Sequence, residues 1–509
     1  MPNNLVWRTL RFVFSLRILL ISLEFFLKGV AILKRGLTVN STCIRRSLAV
    51  GSLVYIYLCA LFLFHSNRIS VLPQEDQTEL SIRNLSLANK SQTEDSSDIV
   101  SVEQQRKMRS ALAYLQPNFS IDLDPMNLWI ETKRELCNGN FVGYRNLFAH
   151  LKNVTLNPMR SFGRRGGESI EKVIGQPEKH EYVILDRGYF QISCQGRRLL
   201  YDFKPKDHLR LWLAVVKTTT DNIKQTTTMI NNFTIAVTRY EYVNMYHVMT
   251  DWFNAFLMLL IFRKDPDTTS ILLIDSHPTG GLDSAWETLF GHVTRAGHLS
   301  KTTTYKDLVW SITGYNSLIN QHSLPHVPYL EEFREFFLRR YSVQDSKQLN
   351  CENLSILFIW RRDYVSHPRN PRGIIKRKIR NEMEMQRAVQ QVFPYHKVNG
   401  MQIDKLTMKE QLDVIANTDI LVGMHGAGLS YTLLLPKHAS LIELYPRYLS
   451  TKNNHFRAMA QWRNLNYLRW QNRDPQNEFP DFYTYIPIDV IVDKVNQTVT
   501  HVCESWLHS

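Results

Sequence analysis

Four groups of residues in this chain have types and spacings suited to chemistry. The first is Thr238-Arg-Tyr-Glu241-Tyr-Val-Asn244-Met-Tyr-His247-Val-Met-Thr-Asp251, which follows a β-branched apolar run. His247 and Asp251 are spaced i, i+4, so a helix puts them on one face, where imidazole and carboxylate make an acid/base pair. Asp251 as the base and Asp251 as the orienter of His247 both remain open, with Glu241 as the next candidate. The plainer alternative is a helix start capped by Asn244, with His247 a satisfied core side chain.

The second group is Asp419-Ile-Leu-Val-Gly-Met-His425-Gly426-Ala427-Gly428-Leu, a short apolar strand (Ile420 to Val422) that runs into a glycine-rich turn and then a short helix (Leu429 to Leu434). Glycines let backbone N–H groups approach a ligand closely, and a helix N-terminus carries partial positive charge, so the turn suits a diphosphate. A turn whose glycines serve packing alone has the same pattern. The third group is Trp360-Arg361-Arg362-Asp363-Tyr364 at the end of another apolar run. Arg361 there can fork onto a diphosphate and offset the charge of a departing nucleotide without a metal, or it can be half of a solvated arginine pair. The fourth is Glu443, at the end of the apolar run Ser440 to Leu444, where a carboxylate can take both hydroxyls of a ribose. Asp122-Leu-Asp124 and Asp265-Pro-Asp267 have metal-type spacing, but one falls at the end of a polar segment and the other in a proline turn. We therefore expect a site without metal. The basic run Arg369 to Arg380 reads as a loop facing solvent.

The elements that must position these groups alternate. Tyr182 to Asp186, Thr234 to Thr238 and Ser270 to Asp275 read as strands, with a long apolar helix at Met245 to Phe262. A helix at Glu331 to Tyr341 opens a second alternation: strand Ser355 to Trp360, helix Asn381 to Val392, strand His396 to Val398, helix Thr407 to Ala416, then the glycine turn. This predicts an α/β fold of two Rossmann-like lobes, residues 126–330 and 331–509, with ligands at the carboxyl ends of the strands.

The chain has 509 residues and a formal charge of +14, from 61 basic and 47 acidic residues. The first 46 residues hold eight Lys/Arg against Glu24 alone, which is +7, half of the excess. The basic character thus reads as a membrane-topology signal and not as a nucleic-acid surface. Leu48 to Phe64 is an uncharged apolar run, predicted to be a signal anchor between a cytoplasmic basic segment (1–47) and a lumenal stem (65–125) with a short helix at Val102 to Tyr114. Phe12 to Leu33 is interrupted by Arg17, Glu24 and Lys28 and reads as an interfacial helix. Beyond the anchor lie sequons at Asn84, Asn89, Asn118, Asn153, Asn232, Asn353 and Asn496, as a lumenal chain would carry. Cys137, Cys194, Cys351 and Cys503 also follow it, and they can form two disulfides in three ways.

Val422-Gly-Met-His-Gly-Ala-Gly-Leu429, with Leu435-Pro436 and Glu443, resembles the signature of glycosyltransferase family 61, which includes the N-glycan core β1,2-xylosyltransferases and the EGF-domain O-GlcNAc transferases. Thr238 to Trp252, Asp275-Ser-His277, Trp286 to Phe290, Gly314-Tyr315 and Phe358 to Arg369 resemble the xylosyltransferase pattern in particular. The resemblance spans about residues 230 to 470. It implies a GT-B fold, a nucleotide-sugar donor such as UDP-xylose held mainly by the second lobe, inverting transfer to an N-linked glycan or glycoprotein acceptor, and a Golgi enzyme of type II topology. Arg361, His425, Gly426, Ala427, Gly428 and Glu443 are then the donor-site residues. Two features depart from the xylosyltransferase pattern. Trp360 stands where an arginine is expected, so Arg361 fills that role by a one-residue shift, and Ile442 to Tyr445 with Tyr467 to Trp470 look closer to the O-GlcNAc branch. A lumenal glycan-binding protein without turnover is the reading from another class. It has no need of a nucleotide site.

Overall fold

Long apolar runs decide the layering. In the computed structural model, which describes residues 125–195, 199–203, 207–220 and 228–507, strands β1 (Thr234–Val237), β2 (Ser270–Leu273), β3 (His292–Arg295) and β4 (Thr303–Trp310) lie side by side in the order β4-β1-β2-β3, all parallel. The sheet continues past β4 through antiparallel strands Phe148–Leu156, Phe141–Tyr144 and Lys133–Leu136. The helix between β1 and β2, α1 (Met245–Phe262), has the predicted bounds and buries 14 of its 18 residues. A helix apolar on every side is a core helix. Among the described residues it is the one helix long and apolar enough to cross a membrane, and most of it is enclosed by protein. The Asn244 side chain caps it by accepting from the Tyr246 N–H at 3.1 Å.

After α2 (Leu330–Arg340) a second sheet forms from β5 (Ser355–Ile359), β6 (Lys397–Met401), β7 (Ile420–Met424), β8 (Ser440–Tyr445) and β9 (Asn466–Gln471). Its strands are all parallel, in the order β6-β5-β7-β8-β9. Strands β7 and β8 are buried along their whole length, as expected for a parallel sheet covered on both faces. Helices α3 (Glu382–Val392) and α4 (Met408–Ala416) cross between strands, the latter held at its start by a Thr407/Glu410 capping box. Helices α5 (His455–Trp462) and α6 (Ile488–Leu507) complete the layer.

The described residues belong to one compact unit. A single apolar cluster runs from Trp252, Phe253 and Met258 on α1 to Leu421, Leu429 and Leu433 beyond it, so the helix of the first sheet packs on the glycine-turn segment of the second. Burial of this size is worth about 25 cal/mol per Å² of apolar surface, and it fixes the two sheets against each other. The disulfides are Cys137–Cys194 and Cys351–Cys503; the latter ties α6 to the segment entering β5.

Two expectations change. Tyr182 to Asp186 supplies only a two-residue strand, Ile184–Leu185, paired with Ser161–Phe162 in a small separate sheet, because Ile184 is exposed and gives the run no second buried face. The basic run is not all solvent-facing, as described below. The anchor at 48–64, the segments 1–47 and 65–124, and with them Asn84, Asn89, Asn118 and the Asp122/Asp124 pair, lie outside the described residues. The sequons at Asn153, Asn232, Asn353 and Asn496 are exposed.

Candidate active site

The strand order of the second sheet creates one switch point, between β5 and β7, where the chain leaves in opposite directions and a crevice opens at the strand ends. Arg361 leaves β5 there, and His425-Gly426 leaves β7. Gly426 lies so close to the Arg361 guanidinium that a Cβ at this position would sit 2.7 Å from Cζ, and closer still to Nη1. The glycine is thus required by the approach of the arginine and not by backbone conformation, which is extended. Gly428 is tight against Ile359, with 3.3 Å for a built Cβ, and the half-buried Ala427 begins the short helical segment Ala427–Leu434.

Arg361 donates from Nε to the Lys376 carbonyl at 3.0 Å and has no carboxylate partner. Burial, and then the neighbouring Arg377 guanidinium, lower its pKa to about 10, so it stays cationic at neutral pH. Arg377, held with φ 64°, is itself pushed down by burial, its Nε has no partner, and its backbone N–H donates to the Tyr448 hydroxyl at 3.2 Å. Two guanidinium groups at a switch point, neither with a carboxylate partner among the described residues, have the charge to hold a doubly charged anion. Arg377 comes from the basic run read as solvent-facing, and its signal in the sequence was hidden among five other Lys/Arg residues. Others in that run are committed elsewhere: Arg369 pairs with Glu241 and lies 3.3 Å from Glu178, and Lys378 is buried against Asp363 at 2.8 Å.

Glu443 is held by partners within the protein. It is fully buried, with Oε1 2.5 Å from His425 Nδ1 and Oε2 accepting from the Tyr467 hydroxyl at 2.7 Å. Both carboxylate oxygens are engaged inside the protein, and Glu443 fixes the ring of His425. His425 in turn stacks on Tyr445 and lies 5.9 Å between ring centroids from His455 on α5, a residue no motif singles out. Burial and the nearby His322, His425 and His247 push His455 down to about 3, so it is neutral.

At the first sheet the switch point falls between β4 and β1. His247 stands in the first turn of α1, half-buried, edged by the rings of Tyr240, Tyr246 and Tyr315. Burial lowers its pKa, and the Glu241 charge opposes that shift, leaving the imidazole neutral near pH 7. Asp251 follows one turn on but is 1% exposed, and neither of its oxygens has a hydrogen-bond partner. The expected His247–Asp251 pair is therefore not formed: i, i+4 spacing puts two side chains within reach, as it does for Lys409 and Asp413 at 2.8 Å, but Asp251 is enclosed by the interior while His247 is only half-buried. Burial raises the Asp251 pKa well above the ordinary 3.8, against the pull of the Arg239 charge. Glu241 is ion-paired with Arg369 and lies 3.2 Å from His367 Nε2, both on the loop after β5, and these partners hold its pKa low against burial. It links the two sheets and is not free as a base. Arg239, in the same segment, is locked in a fork onto Asp275 at 2.8 Å and onto Asp283 at 2.7 Å. Asp265 caps a turn and Asp267 pairs with Arg340, which accounts for that aspartate pair.

Tyr246 joins the halves. Its ring meets His455 edge-on at 4.6 Å, and its hydroxyl lies 2.8 Å from His322 Nε2 and donates to Asn320 at 2.6 Å. His455 lies within electrostatic reach of both His247 and Arg377, so the half-buried imidazole of the first half and the arginines of the second both stand near α5; an imidazole can take a proton from one reactant and guanidinium groups can stabilise a departing anion.

Residues 245–442 match the glycosyltransferase 61 family. The chain is 26% identical over 356 residues to a beta-1,2-xylosyltransferase of Oryza sativa subsp. japonica, covering 62% of this chain and 66% of that protein. It is 22% identical over 388 residues to the beta-1,2-xylosyltransferase of Arabidopsis thaliana, covering 62% and 72%. Against the EGF domain-specific O-linked N-acetylglucosamine transferase of Drosophila melanogaster it is 27% identical over 255 residues, covering 46% of this chain and 45% of that protein. The chain thus spans just under two thirds of the rice protein and less than half of the fly protein.

Proposed function

From the premise that the chain carries a glycosyltransferase 61 domain, we propose that it is an inverting glycosyltransferase of GT-B type that transfers xylose from UDP-xylose, in β1,2 linkage, to a mannose of an N-glycan core. Residues 126–330 form the acceptor-side lobe and 331–509 the donor lobe. The body works in the Golgi lumen, held by a type II anchor at 48–64. The observation that carries the reading is the pair of uncompensated guanidinium groups, Arg361 and Arg377, against Gly426 at the switch point of the second sheet.

In the proposed reaction the acceptor hydroxyl oxygen attacks the anomeric carbon as the bond to the UDP oxygen breaks, and the hydroxyl proton passes to His247. His247 is preferred to Asp251 because its ring reaches the cleft, whereas Asp251 is enclosed. The negative charge that gathers on the leaving diphosphate is offset by Arg361 and Arg377, with Gly426, Ala427 and Gly428 giving it room. His425, fixed by Glu443, lines the same crevice. Since the arginines supply this charge, transfer should persist in EDTA.

Transfer of N-acetylglucosamine to an EGF module is the second reading, supported by the 27% identity to the fly enzyme over 255 residues. The longer matched share of the rice and Arabidopsis proteins favours xylose. A donor screen with the purified full chain, using UDP-xylose and UDP-GlcNAc against a free N-glycan core and a folded EGF module, tests both. We expect β-linked xylose on the glycan. GlcNAc on the EGF module would select the second reading, and absence of UDP binding would remove both.

A further inference from the structure

The two switch points differ in chemistry. The one in the second sheet holds cations with no carboxylate partner among the described residues; the one in the first sheet holds aromatic rings. Tyr240 follows β1 directly and Tyr315 follows β4, so the order β4-β1 sets them side by side at the strand ends where ligands collect in such sheets. Their rings meet edge-on at 4.6 Å, and both approach His247, at 5.2 Å from Tyr240 and 6.3 Å from Tyr315. Tyr315 is 54% exposed, and Tyr182, within electrostatic reach of both, is 37% exposed. The Tyr182 hydroxyl is already taken by Glu178 at 2.9 Å. The nearby cations are committed as well: Arg239 to Asp275 and Asp283, Arg369 to Glu241 and Glu178.

A surface of this kind repels no neutral ligand and offers an anion nothing. Exposed and half-buried tyrosine rings beside a proton acceptor, at a strand-end switch point, suit a group with one apolar face and hydroxyls at its rim. From this we infer that Tyr315 and Tyr240, with Tyr182 at the outer edge, form the acceptor subsite, on which a neutral pyranose of the N-glycan core stacks and so presents its hydroxyl to His247. The inference rests on the glycosyl-transfer reading given above and adds the acceptor's place and chemistry to it. Gly314 holds the ring of Tyr315 in position, because a Cβ there would lie 2.8 Å from Thr250 Oγ1 and 3.0 Å from Asp251 Oδ1, so the loop after β4 lies directly on α1.

The test compares Tyr315→Ala and Tyr315→Phe with the unaltered full chain. Initial rates are measured against a fluorescently labelled N-glycan core, and UDP affinity by calorimetry. The alanine variant should raise the acceptor KM tenfold or more, the phenylalanine variant should stay within about threefold, and both should bind UDP as the parent does. Tyr315 is exposed, so neither change threatens the core. An acceptor KM within twofold for Tyr315→Ala, or a loss in Tyr315→Phe equal to that in alanine, overturns the stacking assignment while leaving the transferase reading intact. If the unaltered chain fails to bind UDP, the transferase reading falls and the subsite with it.

Discussion

Replacing Gly426 by alanine isolates the contact on which the donor site depends. The backbone there is extended, φ 172° and ψ 166°, and alanine adopts it without strain. The added methyl would lie 2.7 Å from Arg361 Cζ and 3.3 Å from its Nε, distances that real Cβ atoms avoid, so the guanidinium must move. That group ends a long, half-buried side chain, and the fold gives up only the Arg361 bond to the Lys376 carbonyl, which water can in part replace. The ligand loses its own bond as well. A hydrogen bond to a charged group is worth about 1.5–3 kcal/mol, and at about 1.4 kcal/mol per decade the UDP Kd should rise roughly 10- to 150-fold. Arg361→Ala should lose a similar amount, and adding Gly426→Ala to it should cost almost nothing, because the methyl then has nothing to displace. Because the Arg361 pKa, though lowered, is about 10, calorimetry at neutral pH reads the charged form in the parent. The four proteins, titrated with UDP and compared by thermal melting, complete the cycle. Unchanged UDP affinity in Gly426→Ala, or losses that add in the double variant, would refute the reasoning.

Three further outcomes follow from the same geometry. If His247 is the base, its pKa, lowered by burial, places the acid limb of the pH–rate profile below the ordinary 6.5, with rate lost as pH falls; His247→Ala should cut kcat about a hundredfold or more with UDP affinity kept. A profile with its limb above 6.5 would exclude this base. Asp251 has its folded pKa raised above 3.8, so its contribution to stability is full below that value and is lost as pH rises through the folded pKa. The melting temperature of Asp251→Asn should therefore gain on the parent as pH rises, and a pH-independent difference would show that the group ionises freely. Glu443→Ala leaves the buried His425 Nδ1 without its carboxylate partner, at about 1–3 kcal/mol, so it should unfold earlier than the parent. Equal melting curves would return Glu443 to the ligand side.

Much of this protein is local and was readable as such. The bounds of α1 follow from an apolar run with Asn244 before it, the start of α4 from Thr407 and Glu410, and the alternation of strands and helices from short β-branched runs between them. Gly426, Arg361 and His247 could be named because each falls just after an apolar strand or at a helix start, positions set by neighbours in sequence. Partnership is not local. Whether Glu443 faces a ribose or His425, whether Arg377 faces solvent or Arg361, and which cysteines join depend on which strand lies beside which, and the order β6-β5-β7-β8-β9 is a property of the packed sheet. The spacing of His247 and Asp251 gave a common helix face correctly. Only packing against Gly314 and the interior decided that one of them meets the cleft and the other is sealed beneath it, because burial is fixed by what other segments bring to that face and not by the helix itself.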